Sequence, residues 1–402
     1  MAMTAPPISR RHLMAAAGAL GAQLAVFGTS ARAAEARPRL VVLILRGAAD
    51  GLSLTPPLAD PDYPHLRRDL AILDAALPLD RDFGLHPELR AVQGLAQAGQ
   101  ARFAPAVAMP DPVRSHFEAQ DRLEAGAARN VSSGWLNRAL AALSEGRPSE
   151  ALSIGPVAPL ILRGAAPASA WSPGQAIDPE GRAPALLAAL YADDPLLSEA
   201  LRLGLRTEGL AQTSLAALTD DTERPAGPRS LVGDQPAAGR RLGQAAAGFM
   251  KGEAGADLVA ISLDGFDTHA NQAAPLARRL AYLDALIDGL HVGLGPAWSH
   301  TVVLAVTEFG RTARVNGTAG TDHGTASTAL VLGGGLKPGG LIGDWPGLQE
   351  PRLYEGRDLA PTLDLRSLFK TVLADHMGLD RRALDTAVFP DSQIARPVAG
   401  LV

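Results

Sequence analysis

The chain has 402 residues, 47% of them hydrophobic and 20% charged, a balance that suits a folded protein with a large core and excludes a disordered one. Its formal net charge of −5 has the wrong sign for gripping a phosphate backbone, so nucleic acid is not an expected partner. Cysteine is absent, which removes disulfides, thiolate metal sites and thiol nucleophiles, and leaves His, Asp, Glu and hydroxyl oxygens to hold any metal.

The first element reads as an address. Ser9-Arg10-Arg11-His12-Leu13-Met14 is a twin-arginine pattern, and a weakly apolar run follows it from Ala15 to Gly28. The small residues of Ser30-Ala31-Arg32-Ala33-Ala34 then fit a signal peptidase. Residues 1–34 are therefore expected to be a signal peptide. That makes the twin-arginine translocase a transient partner and the periplasm, or the cell exterior, the destination. The run is too short and too weakly apolar for a permanent membrane span.

The remainder, 35–402, reads as one α/β domain. Leu40 to Leu45 is a continuous apolar run typical of a parallel strand buried on both faces. Pro56 to Arg81 is loop-like, and Leu89, Val92, Leu95 and Ala96 give a helical face between His86 and Ala98. Arg102 to Met109 reads as a strand, Phe117–Gly126 and Trp135–Leu143 as helices, and Ala151 to Leu162 as a strand. The stretch of about 165–240, with helical segments around Pro184–Tyr191 and Leu197–Leu205, is expected to be a helical insertion or cap over the sheet. Strand and helix then alternate: Ala256–Leu263, Leu276–Leu290, Thr301–Val306, Thr328–Leu332 and Leu365–Met377. This order predicts a three-layer α/β/α sandwich with a mostly parallel sheet.

In such a fold the ligand lies beyond the carboxyl ends of the strands. Polar residues crowd those ends here. They are Arg46 to Gly51, Arg114-Ser115-His116, Asp264 to Gln272, Thr307 to Thr312, and Asn316 to Gly324. His116, His269 and His323 each have a carboxylate within two residues (Glu118, Asp267 and Asp322), the ligand types a divalent metal requires in a chain without cysteine. The other histidines of the domain, His65, His86, His291, His300 and His376, read as surface residues.

Each signal has a structural alternative. Asp267-Thr268-His269 could be an Asx turn, and Gly320 to Gly324 a tight turn. Glu308 could pair with Arg311 or Arg314, and Ser115 could cap the following helix with Glu118 at the capping-box spacing. Arg46, at the end of a buried strand, needs an anion, either a carboxylate or a ligand.

The segments Leu45 to Leu52, Ser115 to Gln120, Gly134 to Arg138, Asp267 to Gln272, Glu308 to Thr312, Gly320 to Gly324 and Gly343-Asp344-Trp345-Pro346 resemble the family known as domain of unknown function 1501. That family in turn resembles the alkaline phosphatase and sulfatase superfamily. The resemblance implies an alkaline phosphatase-like fold and a metal-centred hydrolytic site. It places a metal aspartate at Asp50, a hydroxyl nucleophile at Ser115, ligands at Asp267 and His269, and a final ligand at His323. Glu308-Phe309-Gly310 aligns with the superfamily's Asp-His-Gly, but Phe309 cannot ligate. One divalent ion (Zn, Mn, Ca or Mg) held by Asp267, His269 and His323, with Glu308 and Asp322 nearby, is the implied site.

The expected function is hydrolysis of a small anionic ester, phosphate or sulfate. Ser115 would attack, His116 would serve as proton donor, and Arg46 or Arg114 would hold the equatorial oxygens, with Arg311 and Asn271 as further substrate-binding candidates. The alternative is a binding or assembly protein that keeps the fold without turnover, which Phe309 favours. An exported oxidoreductase lacks support, since no Gly-x-Gly-x-x-Gly follows the first strand.

Overall fold

Every residue of strand β1, Arg39–Leu45, is buried, and its side chains alternate between two cores. Val41, Leu43 and Leu45 point into one, and Leu40, Val42 and Ile44 into the other. An unbroken apolar run is what a strand with no solvent face demands. The computed structural model describes residues 37–402 except 128–130, 147–148, 156–157, 174–181, 217–230 and 253–254. The twin-arginine segment lies outside the described residues.

The other strands of the sheet are β2 (Ala101–Ala108), β3 (Ala151–Ile154), β4 (Ser169–Trp171), β5 (Leu258–Leu263), β6 (Thr301–Val306), β7 (Ser327–Leu332) and β8 (Leu363–Asp364). Their order is β8-β2-β7-β6-β1-β5-β3-β4. Strand β7 runs antiparallel to β2 and β6, and every other pairing is parallel. The expected mostly parallel sheet is therefore present with one reversed strand. That reversal puts the start of β7 beside the ends of β1 and β6.

Around the sheet lie α1 (Arg90–Gln97), α2 (His116–Ala125), α3 (Trp135–Ser144), α4 (Arg182–Leu190), α5 (Pro195–Ala216), α6 (Pro236–Met250), α7 (Ala273–Leu294) and α8 (Leu365–Thr371). Helices α1, α6 and α7 pack their apolar stripes on the face of Val41 and Leu43. Helices α2, α3 and α8 cover the opposite face, where Trp135 stacks on Phe369 with ring centroids 4.6 Å apart. A three-layer α/β/α sandwich follows.

Three expectations shift. The segment Ala151 to Leu162 is a four-residue strand followed by a 3-10 turn at Leu160–Leu162, entered from Pro159, which has no N–H for a ladder. The loop of residues 56–81 contains a one-turn helix, Tyr63–Arg67. Helix α5 packs on α6 and β4, and its Leu203, Arg206, Thr207 and Leu210 line a small pocket with Glu150, Leu152 and Ala256 at the starting ends of β3 and β5. Residues 203–210 of the helical insertion thus lie beside the starting ends of the strands.

Candidate metal centre

The loops leaving β1, β5 and β6 meet the loop entering β7 because glycines let their backbones touch. Gly47 has φ +108°, and a Cβ there would stand 2.4 Å from the amide nitrogen of Asp267. A Cβ on Gly320 would stand 2.3 Å from the carbonyl carbon of His269. Side chains remote in sequence therefore share one edge, with the first turn of α2 beside them.

Three imidazoles and one carboxylate converge there. Asp267 Oδ1 lies 3.0 Å from His269 Nε2 and 3.6 Å from His323 Nε2, and its Oδ2 lies 3.5 Å from His116 Nε2. His269 Nε2 and His323 Nε2 are 2.9 Å apart. Ligand atoms of His116, Asp267 and His323 fall within 4.8 Å of one another, close enough to share an ion. Arg311, itself buried, donates to Asp267 Oδ1 at 2.6 Å and so fixes the carboxylate. Burial raises the Asp267 carboxyl, but the hydrogen bond and charge of Arg311, with the nearby histidines, outweigh that and hold it below the usual range.

The far nitrogen of each ring faces an acceptor. His116 Nδ1 lies 2.8 Å from Glu308 Oε1, His269 Nδ1 3.4 Å from Asp322 Oδ1, and His323 Nδ1 2.8 Å from the carbonyl oxygen of Arg114. An acceptor at Nδ1 requires the hydrogen there, which leaves Nε2 with its lone pair. Outer partners of this kind orient metal-binding histidines. The hydrogen bond that His116 donates to Glu308 raises the His116 pKa above the ordinary value despite burial, whereas burial lowers that of His323. His116 Nε2 is buried and has no hydrogen-bond partner among the described residues. An orphaned lone pair beside Asp267 and two further imidazoles fits a divalent cation.

The cluster takes His116 as a prospective ligand, not as the expected proton donor, and it keeps Asp267, His269 and His323. Other expected roles change. Asp50 is buried and bonded to Arg67, Ser53 and Gln272, which commits its carboxylate to donors of the protein. Glu308 accepts from Gly47 N, His116, Gln120 and Thr307, and it pairs with neither Arg311 nor Arg314. It orients His116. Asp322 faces the outer nitrogen of His269 and also accepts from Asn316.

The arginines are committed as well. Arg46 pairs with Glu124 and donates to Gln120 Oε1 at 2.7 Å, Arg114 binds Glu355 and Asp358, and Arg311 donates to Asp267 and to the carbonyls of Gly47, Ala48, Phe266 and Thr321. These donors were expected to meet substrate; here they meet protein acceptors. Asn271 is exposed at φ +46°, with its backbone N–H on Thr318 O at 2.9 Å. Ser115 occupies the N-cap of α2, but its side chain makes no capping bond, and Glu118 bonds Arg122. Ser115 is exposed and directly precedes His116 in the chain. Phe309 is buried and stacks on His116, ring centroids 4.9 Å apart, while tilting against His323 at 5.0 Å. An apolar shelf thus backs two rings of the cluster.

Gln272 was not anticipated. Fully buried, it donates to Asp50 and accepts from Thr268 Oγ1 at 3.1 Å and Thr321 Oγ1 at 2.6 Å, joining the loops of Asp267, His269 and His323. It lies within a quoted motif, but a neutral amide carries no chemical signal of its own. His86 is buried, contrary to expectation, and His376 is half-buried with Nε2 on the carbonyl of Arg39 at 2.9 Å.

The family model described as "Protein of unknown function (DUF1501)" matches residues 37–388. The chain belongs to this family. No curated protein matches the DUF1501 chain in sequence. Among solved structures it is similar to a protein of the alkaline phosphatase superfamily from Vibrio parahaemolyticus, at 10% identity and a TM-score of 0.37, over 76% of this chain and 62% of that one. It thus spans less than two thirds of that protein's length. It is also similar to the C-terminal periplasmic domain of EcEptC from Escherichia coli in complex with Zn (10% identity, TM-score 0.38, 89% and 87% covered). A third likeness is to BT1596, a 2-O GAG sulfatase (15% identity, TM-score 0.36, 86% and 71% covered). Among the described residues, no helix of this DUF1501 protein is long and apolar enough to cross a membrane.

Proposed function

We propose that this DUF1501 protein is an exported, divalent-metal-dependent hydrolase of small phosphate or sulfate esters, with His116, Asp267, His269 and His323 holding the ion and Ser115 as nucleophile. The observation that supports it is the shared orientation of three imidazoles, each with Nδ1 on an acceptor and Nε2 toward Asp267. Three nitrogen donors and one carboxylate suit Zn or Mn better than Ca or Mg, which prefer oxygen. When bound, the ion would supply Lewis acidity toward the ester oxygens.

The chain's own groups complete the chemistry. Ser115 Oγ is free of capping duty and stands at the N-terminus of a ten-residue helix, where backbone N–H groups and the positive dipole end favour an anionic ester. Ser115 Oγ would bond to phosphorus or sulfur as the ester P–O or S–O bond breaks, its proton passing to solvent and the leaving alkoxide taking one from solvent; water would then cleave the Ser115 ester, releasing phosphate or sulfate and restoring the hydroxyl. Glu308 and Asp322 hold the rings, and Phe309 excludes water from beneath them. Residues 1–34 would route the folded protein through the twin-arginine translocase.

Metal analysis of the mature protein, with turnover of 4-nitrophenyl phosphate, bis(4-nitrophenyl) phosphate and 4-nitrophenyl sulfate, tests the proposal. About one ion per chain and an activity lost in Ser115→Ala are expected. A metal-loaded protein inert on all three esters would instead support a non-catalytic binding protein. One observation favours that second reading: Arg46, Arg114 and Arg311 are all engaged by carboxylates or carbonyls of the chain.

A further inference from the structure

A cavity of about 400 Å³ opens between the segments 57–61, 82–83 and 341–352, and no residue of the histidine cluster lines it. Its size lies within the roughly 300–1,000 Å³ usual for small-molecule sites. Trp345 of the Gly343-Asp344-Trp345-Pro346 motif, for which the ester chemistry has no use, lines one wall. Gly343 at φ +79° and Gly347 at φ +85° turn the chain on either side of Trp345. Trp345 meets Phe83 edge to face, with ring centroids 5.2 Å apart and planes at 89°.

The polar groups divide into two sets. Asp60 serves the wall: Oδ2 accepts from Trp345 Nε1 and from Leu348 N, each at 3.0 Å, and Oδ1 accepts from Asp62 N at 3.0 Å. With its N–H occupied, the indole offers a ligand only carbon surface. Asp82, Gln349 and Arg352 are exposed on the lining and supply planar acceptors and donors together. Asp82 has Arg81 Nε at 3.5 Å and Asp60 is taken up by the wall's N–H groups, so the lining holds no surplus of positive charge for a phosphate or sulfate. A bare organic cation is disfavoured by Arg352 in the same wall. A neutral ligand with C–H faces for the Trp345 indole and hydroxyls for the planar groups satisfies the whole lining.

We propose that this cavity is a saccharide-binding site, with the part-exposed Trp345 as the apolar platform, backed by buried Phe83, and Asp82, Gln349 and Arg352 as hydroxyl partners. The inference is independent of the metal centre. The test titrates the mature protein with maltotriose, cellotriose and chitotriose, followed by tryptophan fluorescence and calorimetry, beside glucose 6-phosphate and tetramethylammonium chloride. A saturable change with at least one neutral trisaccharide is expected, unchanged by EDTA and weakened about tenfold or more in Gln349→Ala or Asp82→Ala, a loss of about 1.4 kcal/mol of binding energy. Both side chains are exposed, so the melting temperature should stay that of the wild type. The proposal is overturned if no neutral trisaccharide saturates, if both variants bind as the wild type does, or if only the sugar phosphate or the ammonium ion binds.

Discussion

Nε2 of His269 stands 2.9 Å from Nε2 of His323, two ring nitrogens whose outer partners require the hydrogen to be at Nδ1. The Asn316 hydrogen bond, followed by His269, holds the Asp322 carboxyl below its usual range, so it accepts as a carboxylate at neutral pH. Two lone pairs at that separation repel unless a cation or a proton lies between them. Zinc or manganese should therefore raise the melting temperature of the wild type, by the equivalent of about 2.7 kcal/mol at a hundred times the dissociation constant. His269→Ala should lose the shift. A wild type whose melting temperature ignores both metals would contradict the cluster's role.

Gln272 is the bond between the two ligand loops, since one amide oxygen accepts from Thr268 and Thr321 while the nitrogen reaches Asp50. Gln272→Ala should leave those buried groups unsatisfied, at about 1–3 kcal/mol. Loosening the loops should also lower zinc affinity about 10- to 100-fold, the usual effect of removing an outer partner. Urea unfolding and zinc competition on the same variant separate the effects. Reduced stability with unaltered affinity would make Gln272 a packing residue only.

Arg46 was a candidate for holding substrate, and its pairing with buried Glu124 assigns it a structural part. Burial pushes the Glu124 carboxyl up, and Arg46 and the Ile161 N–H oppose that. Arg46→Ala should leave a buried carboxylate without its counter-ion, costing about 3 kcal/mol; this is the low end for a broken buried pair, since 24% of the arginine side chain is exposed. Adding Glu124→Gln should recover part of the loss. Equal denaturation midpoints for Arg46→Ala and wild type would rule the structural part out.

The fold was legible where one kind of residue suffices to define an element. The runs Leu40 to Leu45 and Thr301 to Val306 are apolar throughout, and only a strand covered on both faces accepts them. The histidine cluster was legible because its members follow strand ends, which topology brings to a single edge. The fate of the charged groups was not. Arg67, which binds Asp50, sits in a loop helix 17 residues onward, and Glu124, which binds Arg46, lies 78 residues away. A guanidinium's choice between ligand and carboxylate is decided by such distant partners, and no local pattern encodes them. Gln272 and Thr321 were obscured for the opposite reason, as neutral side chains with nothing to mark them.

His86 provides a pH dependence with a definite sign. It is buried, its Nδ1 accepts from Glu88 N at 3.2 Å, and burial lowers its pKa from 6.5 to about 4, with Asp50 opposing weakly. The folded chain thus keeps the ring neutral over a range where the unfolded chain protonates it. Stability from this residue is complete above pH 6.5 and drains away as the pH falls toward 4, by up to about 3 kcal/mol in total. His86→Gln keeps a polar amide at the position but cannot titrate, so its stability should fall less than the wild type's between pH 7 and pH 4.5. Denaturant unfolding at five pH values on metal-free protein measures the difference. Parallel curves for the two proteins across that window would show that the His86 ring already carries its proton in the folded state, or that it is not buried in solution.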